Sequence, residues 1–339
     1  MSAAASGADM AVLPKVKTDW LPALLVPLLA LAALPLVGSF SAWATLTVAA
    51  LAMGMMVFLM ASGLTLVFGL MDVLNFGHGV FISFGAYVSL IALGPLREWG
   101  QSENIWLNVG VLLACSAVAM LVTGILGWAF ERIVIRPVYG QHLKQILITM
   151  GGMIVAEQMI HVIWGASPIT LRLPEGLRGA IVIGDAAMER YRVIAILFGL
   201  AVFGLMHLLL NRTKIGLLIR AGVENAEMVE SLGYRIRRLF VGVFVAGSAL
   251  AGLGGVLWAF YRQTLTAGMG MEVNVLIFIV IIIGGLGSVS GCFIGSLLVA
   301  LIANYTGFLA PKLALFSSII LMVLILLWRP QGLYPVAKR

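Results

Sequence analysis

The sequence predicts an all-α, polytopic membrane protein with about ten transmembrane spans. Hydrophobic residues make up 62% of its 339 residues and charged residues only 10%, whereas soluble proteins average roughly 45–50% and about 25%. The mean hydropathy is +1.09. The 21 basic and 14 acidic side chains are too few to cover a water-exposed surface of this size. We therefore expect one transmembrane domain over residues 1–339 rather than two soluble domains.

Each predicted span is an apolar run that suits a bilayer core of about 30 Å, which needs about 20 residues per helix. The second run is too long for one untilted helix and the eighth is too short for a full crossing. Both end at glycine-containing motifs, which predicts broken or short helices. In chain order the runs are 20–37, 43–70, 79–95, 106–131, 145–164, 193–210, 239–261, 273–286, 290–309 and 312–328.

Basic residues in the connections predict the orientation, because loops rich in Lys and Arg stay in the cytoplasm. Segment 212–238 is the most charged stretch, and counting spans from it places both termini on the cytoplasmic side. The loop 165–192, with four arginines, is left outside as the exception to the rule. The basic residues on the predicted cytoplasmic side are Lys15, Lys17, Arg132, Arg136, Lys144, Arg212, Lys214, Arg220, Arg235, Arg237, Arg238, Arg329, Lys338 and Arg339.

A polar motif, Leu74-Asn75-Phe76-Gly77-His78-Gly79, lies between the second and third spans. Two glycines flank the histidine at a point where a helix must turn or break. Broken helices expose backbone N–H and C=O groups that can line a polar cavity. We therefore expect Asn75, His78 and Gly79 to belong to a translocation path or gate. The alternative is a cytoplasmic turn in which His78 bonds a helix end.

A glycine-rich motif, Gly284-Gly285-Leu286-Gly287-Ser288, follows a β-branched apolar run. Its spacing superficially suggests a phosphate loop, but the strand–turn–helix context of GxGxxG and the Gly-Lys-Ser/Thr of Walker A are missing. We predict no cofactor site in this chain and instead a second break between two half-depth helices, with Gly284, Gly285, Gly287 and Ser288 along the path. The similar runs at 79–83 and 291–295 suggest an internal repeat.

Four further polar residues lie inside spans and form a candidate polar pathway: Glu157, His161, Asn274 and Asn304. The first two are four residues apart on one helix, which suits a proton-relay pair; the alternative is an interfacial pair near the outer end of the span. The two asparagines by default hydrogen-bond between helices, at about 1 kcal/mol each.

Catalytic and metal sites have no support in the sequence. The histidines are scattered without an HExxH or paired acidic motif, and no nucleophile–base set is evident. Cys115 and Cys292 lie in apolar runs, where cysteine acts as a small buried hydrophobe. The net charge of +7 is not gathered into a basic domain, so no nucleic-acid partner is expected.

The charged segment 212–238 contains an amphipathic pattern. Ala226, Met228, Val229 and Leu232 fall near helical spacing, Glu224, Glu227 and Glu230 lie on the other side, and Gly233 is placed to end the helix. Such a helix lies on a membrane surface or docks into a partner. Because its polar face is acidic, it disfavours anionic lipid and favours a protein partner.

This segment resembles the cytoplasmic ATPase-coupling loop of the LivH-type permeases of branched-chain amino-acid ABC importers. The family pattern maps onto Gly216, Arg220-Ala221, Asn225, Leu232-Gly233 and Arg235. The resemblance continues along nearly the whole chain at Gly63-Leu64-Thr65-Leu66-Val67-Phe68-Gly69, residues 75–79, Gly85-Ala86-Tyr87, Arg136-Pro137, residues 284–288 and Arg329-Pro330-Gln331-Gly332-Leu333. Gly77 replaces the alanine more often found before the histidine, and Asp72 stands at a variable position.

The resemblance implies a non-enzymatic permease subunit in a bacterial inner membrane that imports a hydrophobic or branched-chain amino acid. It also implies a LivM-like second permease, two cytoplasmic ATPase subunits that hold ATP and Mg, and a periplasmic substrate-binding protein. The residues implied in ATPase coupling are Gly216, Arg220, Ala221, Asn225, Glu227, Leu232 and Gly233. Two alternatives stay open: cargo such as urea, short amides or aromatic and other carboxylates, and an ion-coupled secondary carrier that uses Glu157 and His161.

Overall fold

Thirteen α-helices and four short β-strands make up the part of the chain that the structure, a computed structural model, describes, residues 20–334. The helices are α1 (Leu21–Val37), α2 (Phe40–Met71), α3 (Gly79–Leu93), α4 (Arg97–Gln101), α5 (Ile105–Phe130), α6 (His142–Trp164), α7 (Arg190–Arg212), α8 (Lys214–Glu224), α9 (Ala226–Ser231), α10 (Ile236–Arg262), α11 (Met269–Gly284), α12 (Val289–Leu309) and α13 (Ala314–Trp328). The strands are β1 (Ile169–Thr170), β2 (Ala180–Ile183), β3 (Ala186–Glu189) and β4 (Thr264–Leu265).

Ten of these helices match the ten predicted spans, which confirms the all-α polytopic fold. Within residues 20–334, eight helical stretches are long and apolar enough to cross a membrane, and the two shorter apolar helices are α1 and α11. The long second span and short eighth span are confirmed as well, since α2 has 32 residues and α11 has 16. Lys15, Lys17, Lys338 and Arg339, used to predict the orientation, lie outside the described residues.

Side-chain caps explain where several helices begin. Ser39, Asn104, Thr213, Asn225 and Ser288 each accept a hydrogen bond from a backbone N–H in the first turn of the following helix. These N–H groups have no partner within the helix, and a Ser, Thr or Asn at the cap satisfies one of them. The caps therefore separate α1 from α2, α4 from α5, α7 from α8, α8 from α9 and α11 from α12.

The centre of the bundle is formed by α2, α3, α10 and α12, with α5 packed beside α10 and α3. Close approach depends on paired glycines. A Cβ at Gly63 of α2 would overlap the backbone of Gly247 of α10, and a Cβ at Gly85 of α3 would overlap Gly252. Small residues at such crossings let membrane helices pack backbone to backbone. In contrast, α6, α7 and α13 lie at the periphery and expose most of their apolar side chains.

Two small antiparallel strand pairs lie between helices at the end of the bundle opposite segment 212–238. β2 and β3 form a hairpin, with Ala180 opposite Glu189. β1, which follows α6, pairs with β4, which follows α10, in the register Ile169 to Leu265. The β1–β4 pair ties the α6–α7 connection to the α10–α11 connection. This pairing is not predicted from the sequence.

Candidate functional site

The chain between α2 and α3 is unwound and buried. α2 ends at Asp72, which adopts a left-handed conformation with φ 51°, and α3 begins only at Gly79, after an extended stretch and one 3₁₀ turn, Phe76–His78. Val73, Asn75 and His78 are at most 1% exposed. Residues 73–78 thus lie within the packed bundle, whereas Asp72 at the end of α2 is exposed.

His78 shows how deep this unwound segment reaches. Its Nε2 donates a hydrogen bond to the Met60 carbonyl oxygen at 2.9 Å, which requires a proton on Nε2 because a carbonyl only accepts. Met60 lies eleven residues before the end of α2, about 16 Å along the helix axis. His78 therefore bonds the middle of α2, not a helix end, and α3 starts inside the bundle as a discontinuous span.

The unwound backbone is held by side chains from two other helices. The Phe76 N–H donates to Thr149 Oγ1 of α6 at 3.1 Å. The Phe76 carbonyl accepts from Asn274 Nδ2 of α11 at 2.8 Å. The Phe76 ring stacks on Phe278 of α11 with ring centroids 4.6 Å apart. Non-helical backbone at membrane depth is tolerated where protein groups satisfy it in this way.

Several side-chain polar atoms near this segment are buried without a hydrogen-bond partner. They are Asn75 Oδ1 and Nδ2, Asn274 Oδ1 and Gln145 Oε1. Gln145 lies one turn before Thr149, whose hydroxyl donates to the Gln145 carbonyl at 2.7 Å. An unsatisfied buried polar atom costs about 1–3 kcal/mol. No protein group bonds these atoms, so they can hydrogen-bond a ligand, water or another part of the chain.

A second unwound segment, residues 263–268, enters the bundle from the opposite end and leads into α11. Gln263 adopts φ 54°. Ser83 ties α3 to this segment and to the start of α11. Its hydroxyl donates to the Ala267 carbonyl at 3.3 Å and accepts from Gly270 N at 3.0 Å. Sequence reasoning missed this segment, although Gly268 and Gly270 on either side of Met269 are a signal for it.

The first turns of α3 and α11 meet where the two unwound segments end. A Cβ at Gly79 would lie 2.5 Å from the carbonyl oxygen of Gly270, so only glycine fits this crossing. Each helix N-terminus carries a partial positive charge from the helix dipole. Two such ends beside the Asn75 and Asn274 amides form an arrangement suited to an anionic group such as a carboxylate.

The glycine motif at 284–288 forms a tight turn at the end of the bundle, which corrects the prediction of a break between two half-depth helices. Only α11 is short; α12 has 21 residues and spans fully by length. Gly285 and Gly287 adopt φ 98° and 82°, conformations that favour glycine. The turn packs against Gly69 near the end of α2, and Ser288 Oγ accepts from Gly291 N at 3.1 Å.

The C-terminal motif closes the same turn. Leu333 N donates to the Ile283 carbonyl at 2.9 Å and Tyr334 N donates to the Gly284 carbonyl at 3.0 Å. The last carbonyls of α11, which have no partner within the helix, are thereby satisfied by the residues that follow Arg329-Pro330. Three motifs far apart in sequence, at 63–69, 284–288 and 329–333, thus meet at one end of the bundle.

The four residues of the candidate polar pathway are not all brought together. Asn274 lies at the unwound segment, and the Glu157 carboxylate lies beside Gly268, at 3.3 Å from the position of a Cβ there. Within residues 20–334 no ion pair or hydrogen bond joins Glu157 to His161. Asn304 donates to the Ala300 carbonyl of its own helix at 2.8 Å and contacts Met53 of α2, apart from the other three.

Segment 212–238 contains two helices, not the single helix predicted around 222–232. Asn225 breaks it, because its backbone is extended (φ −156°) while its Oδ1 accepts from Met228 N at 2.9 Å and caps α9. The Asn225 N–H also donates to the Ala221 carbonyl at 2.9 Å, which closes α8. The predicted helix end is confirmed, since α9 stops at Ser231 and Gly233 adopts φ 87°.

The residues of this segment divide into a face against the bundle and a free face. Gly216 sits against the backbone of Leu210 with no room for a Cβ, and Arg220 Nη1 donates to Asn211 Oδ1 at 3.3 Å. Val229 is buried, whereas Met228 and Leu232 are 63% and 70% exposed and Glu227 is exposed beside them. The free face of α9 therefore combines apolar and acidic side chains.

The structure defines a class: a multi-pass membrane protein with two discontinuous spans that meet at buried polar groups, and a helical segment that projects from one end. The family model described as "Branched-chain amino acid transport system / permease component" matches residues 46–328. The chain belongs to this family.

Individual relatives agree with the family model. The chain is 29% identical over 285 residues to the high-affinity branched-chain amino acid transport system permease protein BraD of Pseudomonas aeruginosa, covering 81% of this chain and 90% of the relative. It is 28% identical to LivH of Escherichia coli K12 with the same coverage. It is 24% identical to a probable LivM permease of Methanocaldococcus jannaschii, over 77% of this chain and 76% of the relative. No solved structure matches the chain.

Replacement of Asn274 by leucine tests the hydrogen bond to the unwound segment. Asn274→Leu leaves the Phe76 carbonyl without its side-chain donor, but it also removes the unpartnered Asn274 Oδ1, so we expect the free energy of unfolding to fall by less than the full cost of about 1–3 kcal/mol. Thermal unfolding of the purified chain in detergent measures the change. Asn304→Leu is the matched control, because Asn304 bonds a carbonyl of its own helix and the weak acceptor Met53 Sδ, and its effect should be smaller. Equal losses in the two variants would show that Asn274 plays no special part in holding Phe76.

Proposed function

We propose that this chain is the permease subunit of an ATP-driven importer and that it carries a hydrophobic or branched-chain amino acid across a bacterial inner membrane. The observation that carries the proposal is the unwound segment 72–78, which from Val73 onward lies inside the helical bundle and brings buried polar groups to the N-terminal half of α11. Family membership over residues 46–328 supports the same conclusion. In this role the chain itself carries out no covalent chemistry.

The translocation path in this proposal passes the junction of α3 and α11. Asn75, His78, Gly79 and Asn274 line it, with the two helix N-termini and the unpartnered amides suited to the substrate carboxylate. The stacked rings of Phe76 and Phe278 offer an apolar surface for the side chain. Glu157, beside Gly268, is placed to attract the ammonium group.

The turn at Gly284, Gly285, Gly287 and Ser288 acts as a gate element in the same proposal. It joins the end of α11 to α12 and packs on Gly69 of α2. Because the turn is tied to residues 333–334 by backbone hydrogen bonds, motion of α11 has to move these neighbours together. This coupling supports a rigid-body gate rather than a freely moving loop.

The partners in this proposal are a LivM-like second permease, two cytoplasmic ATPase subunits and a periplasmic substrate-binding protein. LivM permeases occur among the relatives of this chain, which supports a pair of related permeases. ATP and Mg would be held by the ATPase subunits. The membrane orientation, with both termini cytoplasmic, rests on the basic residues of segment 212–238.

The docking surface for the ATPase subunits is the free face of α9. Met228 and Leu232 are apolar and exposed one helical turn apart, with Glu227 beside them. Exposed apolar side chains on a charged segment are typical of a surface that a partner covers. Five other residues shape the segment. Gly216 allows the close approach to Leu210, and Arg220 bonds Asn211. The Asn225 N–H bonds the Ala221 carbonyl where α8 ends, and Gly233 ends α9.

Transport by the reconstituted complex tests the proposed function. We expect uptake of a branched-chain amino acid into vesicles only when the second permease, the binding protein, the ATPases and ATP are all present. Uptake by this chain alone, driven by a proton gradient and abolished by Glu157→Gln, would contradict the proposal and support the secondary carrier. A ligand titration on the binding protein separates amino acids from urea, amides and other carboxylates.

A charge placed on the free face of α9 tests the docking surface. Met228→Asp introduces a carboxylate into the proposed contact, so we expect at least tenfold less ATPase to co-purify with the permease, because a charge buried without a partner at an interface costs several kcal/mol. Val182→Asp is the matched control, since Val182 is similarly exposed (66%) in the β2–β3 hairpin at the other end of the bundle. If Met228→Asp retains the ATPase as fully as Val182→Asp does, α9 is not the docking surface.

A further inference from the structure

A basic cavity lies where the end of α5 meets the start of α10, at the end of the bundle that carries segment 212–238. Its volume is about 330 Å³, and an adjoining cavity measures about 300 Å³. The two share Glu131, Arg136 and Arg237. The first is also lined by Trp128, Arg132, Arg238 and Val241, and the second by Tyr139, Glu230, Ile236 and Phe240.

The backbone at the end of α5 explains how two of these arginines reach the cavity. Pro137 has no N–H and cannot continue the α-helical hydrogen-bond ladder. The preceding residues, Glu131–Ile135, form a π-helical turn, followed by a 3₁₀ turn at Arg136–Val138. Single π turns inside helices often occur at functional sites. Here the π-helical turn carries Arg132, and the 3₁₀ turn carries Arg136, to the cavity lining.

The charges around the cavity are not balanced. Four arginines, Arg132, Arg136, Arg237 and Arg238, face two carboxylates, those of Glu131 and Glu230. Among residues 20–334, none of the four guanidinium groups forms a direct ion pair with a carboxylate, although Arg132, Arg136 and Arg237 act electrostatically on Glu131. The third acidic group, the Tyr139 phenol, stays neutral because burial raises its pKa above the usual range. Guanidinium groups bind phosphate oxygens through paired hydrogen bonds, so the excess charge suits a phosphate.

The surface beside the cavity is apolar. On α5, Leu121, Ile125 and Trp128 are exposed at helical spacing, and the Arg132 guanidinium lies 5.6 Å from the centre of the Trp128 ring. α10 packs beside α5 at this level, since a Cβ at Gly124 would contact Val245 and Ala249, and the nearby Gly242 and Ala246 of α10 are small and exposed. A shallow apolar groove that ends at arginines fits an acyl chain and its headgroup.

We propose that this cavity binds the phosphate headgroup of an anionic glycerophospholipid, with one acyl chain along the groove between α5 and α10. The arginines hold the phosphate, and Trp128 lies at the boundary between headgroup and chain, where aromatic rings are favoured in membranes. Basic pockets between transmembrane helices bind such headgroups. A soluble phosphate would use the arginines but not the apolar groove, and this difference favours the lipid.

Native mass spectrometry of the full chain in detergent, with phosphatidylglycerol or phosphatidylcholine of identical acyl chains, tests the proposal. We expect at least tenfold tighter binding of phosphatidylglycerol. Arg132→Gln or Arg237→Gln should each weaken it about fivefold, the effect of one basic residue near an anionic lipid. Arg97→Gln, an exposed arginine at the other end of the bundle, is the control and should have no effect.

A second variant keeps the arginines and fills the groove. Gly242→Leu occupies the open side of α10, so it should weaken phosphatidylglycerol binding while leaving the thermal unfolding of the chain unchanged. Equal binding of the two lipids, or binding unchanged in both arginine variants, would overturn the proposal. Displacement of the lipid by inorganic phosphate alone, with Gly242→Leu without effect, would assign the cavity to a soluble anion and overturn it as well.

Discussion

The hydrogen bonds that satisfy the unwound segment 72–78 are the constraint on which the rest of the structure depends. A backbone that leaves the helix at membrane depth must find its partners in protein, because the hydrocarbon supplies none. Here Thr149 of α6 and Asn274 of α11 bond the two polar groups of Phe76, and His78 bonds the middle of α2. α6 and α11 are thereby tied to Phe76, and α2 is tied to His78, two residues further along the same segment.

Helices that cross at paired glycines can pack closely enough to form these hydrogen bonds. α3 approaches α11 at Gly79 and Gly270 and approaches α10 at Gly85 and Gly252, with no room for a Cβ. The same closeness brings the N-termini of two short helices together beside amides that have no partner. A site that is incompletely satisfied at rest is suited to a subunit that binds a polar cargo briefly and then releases it.

The sequence predicts the helices well, because a membrane span is recognised by its apolar composition and its length. All ten predicted runs match helices. It also locates Asn75, His78 and Asn274, since polar residues inside apolar runs are conspicuous. It does not predict which asparagine bonds the unwound backbone, since Asn274 and Asn304 look alike until packing places one at the Phe76 carbonyl and the other against Ala300 of its own helix and Met53 Sδ of α2. The break at Asn225 and the segment 263–268 depend on local capping and on tertiary contacts, which hydropathy does not record.

If the cargo passes the junction of α3 and α11, the buried Asn75 has to become accessible during the transport cycle. Asn75→Cys in a chain whose two buried cysteines, Cys115 and Cys292, are replaced by alanine allows a direct measurement in the assembled importer. A membrane-impermeant thiol reagent should label this position slowly at rest, where Asn75 is 1% exposed, and much faster during ATP turnover with loaded binding protein. Labelling that is equally slow in both states would contradict the account.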